Sequence, residues 1–221
     1  MNYRNVNFLT VFVIVLMSLS CGKNQSSLKK GKFVNEEVTI ERSDNQITLA
    51  GTLSLPKGKG PHPGILMLTG SGGHTRDQII SGLPMFEVIG NFLAENEYAV
   101  LRVDDRGEGL STGPKVRESS TKDRAEDTQA ALMYLHKRPE IDSSKIILLG
   151  HSEGTHTAAM VATASEEVIG VIMLSPWAIS GSELWVWQQG TILREEGEFT
   201  EEKIESIENE LLKMVSHIGS E

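Results

Sequence analysis

Cysteine is nearly absent: of 221 residues only Cys21 carries a thiol. That excludes an internal disulfide framework and any metal site built from several cysteines. Long apolar runs are missing too. The best candidate, Phe8 to Met17 broken only by Thr10, is short of the roughly 20 residues that a membrane-spanning helix needs. Positive charge is scarce. Lys and Arg number 21 against 30 Asp and Glu, a formal net charge of −9, which argues against a general nucleic-acid-binding surface. Aromatics make up only 5% of the chain, yet hydrophobic residues make up 39%. That is enough for a core and too much for a disordered chain. No internal repeat or low-complexity block is present. The length suits one domain, or one domain with a partial second.

Arg4, the short apolar centre and the small residue Ser20 describe a secretory signal peptide over residues 1–20. The cysteine that follows resembles a bacterial lipoprotein signal, in which the thiol is lipidated and becomes the first mature residue. The resemblance implies lipidation at Cys21, export, and anchoring to a membrane of the bacterial cell envelope. The plainer alternative is an ordinary signal peptide with an incidental cysteine. Residues 21–35 carry Lys23, Lys29, Lys30 and Lys32 and no acid. They read as a flexible tether, and each lysine favours an anionic membrane surface by about 1 kcal/mol.

The body alternates strand and helix patterns. Val38 and Ile40, then Ile47, Leu49, Leu53 and Leu55, alternate with polar or small residues around Asp44-Asn45, as in an antiparallel hairpin with one buried face. Ile65 to Leu68, Ala99 to Leu101, Ile146 to Leu149 and Val168 to Leu174 are continuous apolar runs, as expected of parallel strands buried on both faces. Helical stretches separate them, including Thr121 to Lys137 and the small-residue segment Gly154 to Ala164. The expectation is an α/β fold, a doubly wound and mostly parallel sheet of six strands over residues 36–181. Residues 182–221 read as helix only, a cap segment with ten Glu against Arg194, Lys203 and Lys213.

Chemistry concentrates in three segments. Gly150-His151-Ser152-Glu153-Gly154 follows an apolar strand and opens a helix, the context of a nucleophile elbow. Ser152 must sit on a sharp turn, and glycine two residues to either side removes side chains that collide as the chain reverses. Thr69-Gly70-Ser71-Gly72-Gly73 follows the strand ending at Leu68 and suits an oxyanion loop. Its donor is the backbone N–H of Ser71 or its neighbour, and the second donor is the N–H of Glu153. Each such donor is worth on the order of 3 kcal/mol. A phosphate-binding reading fails, because no Lys-Ser/Thr follows and the glycines lack dinucleotide spacing. The third segment is Asp104-Asp105-Arg106-Gly107-Glu108-Gly109-Leu110-Ser111. A metal-ligand role for the acid pair is weaker than a role in fixing the loop. His151 and His156, five apart, do not match a zinc helix, and His74 reads as a loop-surface residue.

These segments together resemble α/β hydrolases, in particular the serine aminopeptidase and monoacylglycerol lipase-like esterase branch. The resemblance implies a serine hydrolase with an acyl-enzyme at Ser152, a small-molecule acyl ester as substrate, no metal and no cofactor. A triad in this fold runs Ser, then Asp or Glu, then His. The last aspartate is Asp142, and after Ser152 the histidines are His156 and His217. Glu183 with His217 is an unusual pairing. The family inserts a helical cap before the strands that carry acid and histidine, so the chain is expected to be C-terminally incomplete, with Val168 to Leu174 an exposed edge. The alternatives are a non-catalytic binding lipoprotein on the same scaffold and a serine peptidase of the same branch.

Overall fold

The structure, a computed structural model, describes residues 31–42 and 47–218. The expected signal peptide, Cys21, residues 21–30 of the tether and the Asp44-Asn45 turn lie outside the described residues, as does the side chain of His217.

The first two strands, β1 (Phe33–Glu41) and β2 (Thr48–Pro56), pair antiparallel, from Phe33 opposite Pro56 to Glu41 opposite Thr48. Residues 33–35, expected in the tether, therefore belong to the sheet, and Asn35 Oδ1 accepts from the Ser54 hydroxyl at 2.8 Å. Then come β3 (His62–Leu68), a small hairpin of β4 (Ile79–Ile80) and β5 (Leu83–Pro84), α1 (Met85–Glu95) and β6 (Ala99–Val103). The chain continues through α2 (Thr121–His136), β7 (Ile141–His151), α3 (Glu153–Ala164), β8 (Val168–Leu174), α4 (Gly181–Glu196) and α5 (Glu201–Ile218). The main sheet has the order β1-β2-β6-β3-β7-β8. Its strands β6, β3, β7 and β8 run parallel, and β2 meets β6 antiparallel.

Period-two alternation divides the core between the two faces. From β3, Leu66 and Leu68 point into one cluster with Leu132 and Leu135 of α2 and Ala158 and Val161 of α3. The intervening Ile65 and Met67 join Phe86 of α1 on the other face. The sheet is thus wound on both sides, as its apolar runs predict. Two strands depart from what their own residue patterns predict. β2 is buried on both faces rather than one, because α1 packs against it on the face opposite Leu49 and Leu53, and its buried Thr52 is satisfied by the Glu37 carboxylate at 2.8 Å. β8 is not buried on both faces. It borders the sheet with β7 as its neighbour, leaving Ile169 60% and Met173 45% exposed.

Local signals set the helix ends. Ser120 and Asp123 form a reciprocal capping box at α2, and Ser180 and Glu183 do the same at α4. Gly197, left-handed with φ 70°, ends α4. Helices α4 and α5 form an antiparallel-type hairpin in which Arg194 bridges Glu201 and Glu208. Ile204 and Val186 are buried there. No described helix is long and apolar enough to cross a membrane.

Candidate active site

Strand β7 ends at His151, α3 begins at Glu153, and the single residue between them is Ser152, with φ 51° and ψ −119°. This region of backbone space is strained for a residue with a side chain, and such strain gathers at functional sites. The surroundings hold it in place. The Ser152 N–H donates to the carbonyl of Leu174 at the end of β8 at 2.9 Å, and Thr155 caps the Ser152 carbonyl with both its N–H and its hydroxyl. A Cβ on Gly150 would lie 2.3 Å from the Gly154 carbonyl oxygen, and one on Gly154 would lie 2.3 Å from the Leu68 carbonyl oxygen. One collision is therefore within the turn, as the spacing predicts. The other is with the end of β3, a contact that spacing alone does not reveal.

The loop after β3 lies against this turn. A Cβ on Gly70 would be 3.2 Å from Ser152 Cβ. Ser71, next in the chain, is exposed and lines the same cleft as Ser152 and Glu153. Asp104 and Asp105 hold the loop from the end of β6. Asp105 accepts from the Thr69 hydroxyl at 2.7 Å and from the His74 N–H at 2.9 Å. Asp104 accepts from the Arg76 N–H and guanidinium. Burial pushes the Asp105 carboxyl above the usual value, with Arg124 and the Thr69 hydroxyl pulling the other way. Arg106 turns toward α2, where Nε and Nη2 grip Asp127 at 2.6 and 2.8 Å.

Three residues at the site escaped sequence reasoning. Arg76 ties the loop to Asp104. Gln78, fully buried, donates from Nε2 to His151 Nδ1 at 2.7 Å. Arg124 of α2 reaches the carbonyls of Thr69 and Gly70 and the carboxylate of Glu153. A signal for Arg124 exists in the sequence: Arg124, Thr128, Ala131 and Leu135 share the inward stripe of α2 and all are buried.

Ser152 opens into a cleft of about 780 Å³, continuous with solvent, whose walls include His156, Met160, Trp177, Leu184 and Trp185. The His156 ring packs on Trp177 with centroids 4.2 Å apart. Among the described residues no imidazole is hydrogen-bonded to the Ser152 hydroxyl. His151 is engaged by Gln78, and burial, helped by the nearby His74, holds its ring below the usual imidazole value. His74 donates from Nε2 to the Ser71 carbonyl at 2.8 Å. Glu183, the candidate acid after Ser152, is spent on its capping box. No cluster of three His, Cys, Asp or Glu residues that could hold a metal ion occurs among the described residues.

Known proteins resemble this chain in sequence and fold. Esterase EstD of Thermotoga maritima is 29% identical over 144 residues, which are 65% of this chain and 34% of that protein. The chain thus spans about a third of the length of this curated relative. Among solved structures, an esterase of Pyrococcus furiosus superposes with a TM-score of 0.59 at 20% identity, over 79% of this chain and 60% of that one. Brefeldin A esterase, a bacterial homologue of human hormone-sensitive lipase, superposes with a TM-score of 0.55 at 20% identity, over 76% and 46%. At such identity the likeness is one of fold. The model of the family described as serine aminopeptidase, S33, matches residues 83–204, which run from the end of the small hairpin through the elbow into the helical cap. Over half its length, and with the α/β-hydrolase fold throughout the described sheet, this chain belongs to the serine aminopeptidase S33 family.

Proposed function

We propose that this chain carries the nucleophile and oxyanion hole of a serine hydrolase that cleaves small carboxylic esters. The observation behind this reading is Ser152, held at φ 51° on a strand-to-helix turn at the carboxyl ends of the parallel strands. Its hydroxyl attacks the ester carbonyl carbon and its proton passes to a general base. The resulting oxyanion accepts hydrogen bonds from the N–H groups of Ser71 and Glu153. Collapse of the tetrahedral species expels the alcohol and leaves an acyl-Ser152 ester, which water then hydrolyses. The N–H of Glu153 is free for this task because the first N–H groups of a helix have no intrahelical partner.

The base and its acid partner belong, in this proposal, to chain following residue 221. The bare flank of β8 offers the edge on which a further parallel strand would build. An ester substrate with an apolar acyl or alcohol group suits the walls set by Met160, Trp177 and Trp185. A peptidase reading has the family description in its favour, but a free substrate amine calls for an unpaired carboxylate. Glu153, the carboxylate in the described wall, is paired with Arg124 at 3.0 Å. Export and lipidation at Cys21 complete the proposal and place the enzyme at the cell envelope.

Hydrolysis of p-nitrophenyl acetate tests the reading. The 221-residue chain is expected to turn over very poorly, and a chain extended through the following reading frame is expected to be active and to lose activity on Ser152→Ala. Rapid Ser152-dependent turnover by the short chain would overturn the external base. An inactive extended chain would favour the non-catalytic binding lipoprotein.

A further inference from the structure

We infer that Arg124 is a positioning residue that fixes both halves of the oxyanion hole at once, an inference that rests on Ser152 being the nucleophile. Its side chain is 8% exposed, and both terminal nitrogens are spent on the site. Nη1 lies 3.1 Å from the carbonyl oxygen of Gly70 and 3.0 Å from Glu153 Oε2. Nη2 donates to the Thr69 carbonyl at 2.9 Å and to the Thr69 hydroxyl at 3.0 Å, with Asp105 Oδ1 at 3.8 Å.

The Gly70 carbonyl and the Ser71 N–H are two ends of one planar, trans peptide, so they point in opposite directions. A guanidinium that grips the carbonyl therefore aims the N–H away from itself. It also draws electron density toward the oxygen, which makes the N–H a stronger donor. The other oxyanion donor is the backbone N–H of Glu153, and the same Nη1 holds that residue by its carboxylate. One side chain on α2 thus links the loop after β3 to the elbow after β7, adding to the Asp104 and Asp105 contacts a direct tie between the two donors, whose spacing oxyanion stabilisation tolerates only to a fraction of an ångström. Burying a guanidinium is costly unless it is paired. Here Asp105 and Glu153 supply the opposite charge, while the planar fork spans two successive carbonyls, a geometry that an ammonium does not reproduce.

A purely structural counter-charge would behave differently. Its loss would lower stability and leave turnover per folded molecule unchanged. The experiment uses the protein as encoded in full, with Arg124→Lys and Arg124→Ala assayed on p-nitrophenyl acetate and against a trifluoromethyl ketone, which binds as an oxyanion. The expected result for both variants is a fall in kcat of about a hundredfold, the scale of losing one oxyanion donor. KM should stay within about threefold, and ketone affinity should fall in proportion to kcat. Methylguanidinium should raise the kcat of Arg124→Ala, whereas methylammonium should not. Arg138→Met, which removes an arginine paired with Glu36 and Glu140, is the control expected to keep wild-type kcat. Folded Arg124→Lys with kcat and ketone affinity within about threefold of wild type overturns the inference, and this variant decides the matter if Arg124→Ala does not fold. Turnover that survives Ser152→Ala would instead bring down the nucleophile assignment itself.

Discussion

Arg76 meets Asp104 in a two-pronged contact, with Nε 3.0 Å from Oδ1 and Nη2 2.8 Å from Oδ2, while the Arg76 N–H donates to Oδ1 at 2.8 Å. The pair joins the loop after β3 to the end of β6, and Asp104 also receives the Leu110 N–H at 3.0 Å. Loop and strand are thereby locked together.

The acid limb of stability should report this contact. Burial alone would raise the Asp104 carboxyl and is the largest influence, but the bonds from Arg76 and the N–H groups of Leu110 and Arg76 together outweigh it. The net displacement is downward from the ordinary 3.8. A depressed carboxyl contributes stability that is present above its unfolded-state value and is lost as pH falls through the folded-state value. Asp104→Asn removes the buried one of the two carboxylates that pair with Arg76, leaving Glu37 in place, and is expected to cost about 1–3 kcal/mol at neutral pH. Urea denaturation at neutral pH and at a pH below the ordinary 3.8 should show a gap that narrows on acidification. A gap that stays constant with pH would mean that the charge of Asp104 contributes nothing.

The conformation of Ser152 predicts a trade between stability and activity. Relief of a strained backbone is worth about 1–3 kcal/mol, and the added freedom of an unfolded glycine takes back about 0.5–1 kcal/mol. Ser152→Gly should therefore be inactive and more stable by about 1 kcal/mol, a rise in Tm of about 2–4 °C for a domain of this size. Gly154→Ala should do the opposite, losing about 3 kcal/mol or more, since its Cβ meets backbone oxygens of β3. A Ser152→Gly protein that melts at or below the wild-type temperature would show that the turn stores no strain.

Cys21→Ser addresses the envelope assignment. If the thiol carries lipid, the variant should leave the membrane fraction and appear soluble after cell lysis, with altered processing of the leader. Unchanged membrane retention and unchanged processing would rule the lipid out.

Much of the architecture was legible from local pattern. Ile65 to Leu68 and Ala99 to Leu101 are apolar on both faces, which only an interior strand tolerates, and the glycines around Ser152 mark a turn that no bulkier residue permits. The Ser120–Asp123 box and Gly197 set helix ends by bonds within a few residues of the chain. Such features depend on neighbours in sequence, so sequence carries them. The exposure of β8 was also foreseeable, although its run of Val, Ile, Met and Leu looks identical to that of a buried strand. Burial depends on what lies beside a strand, which its own residues do not encode.

What tertiary structure decided is which charges meet. Arg76, Arg102, Arg106 and Arg124 are spread over about fifty residues and resemble ordinary surface cations in the sequence, yet each is largely buried with a carboxylate supplied by a different segment. Charge attraction acts through space and is indifferent to separation along the chain, so the partners emerge only once the sheet order β1-β2-β6-β3-β7-β8 brings the ends of β3, β6 and β7 together. The sequence by itself determined the glycine-flanked turn at Ser152 and the strands that lead to it. The folded chain alone determined that a helix arginine 28 positions before Ser152 holds the loop facing it, because that contact exists only where the first turns of α2 lie beside the loop after β3.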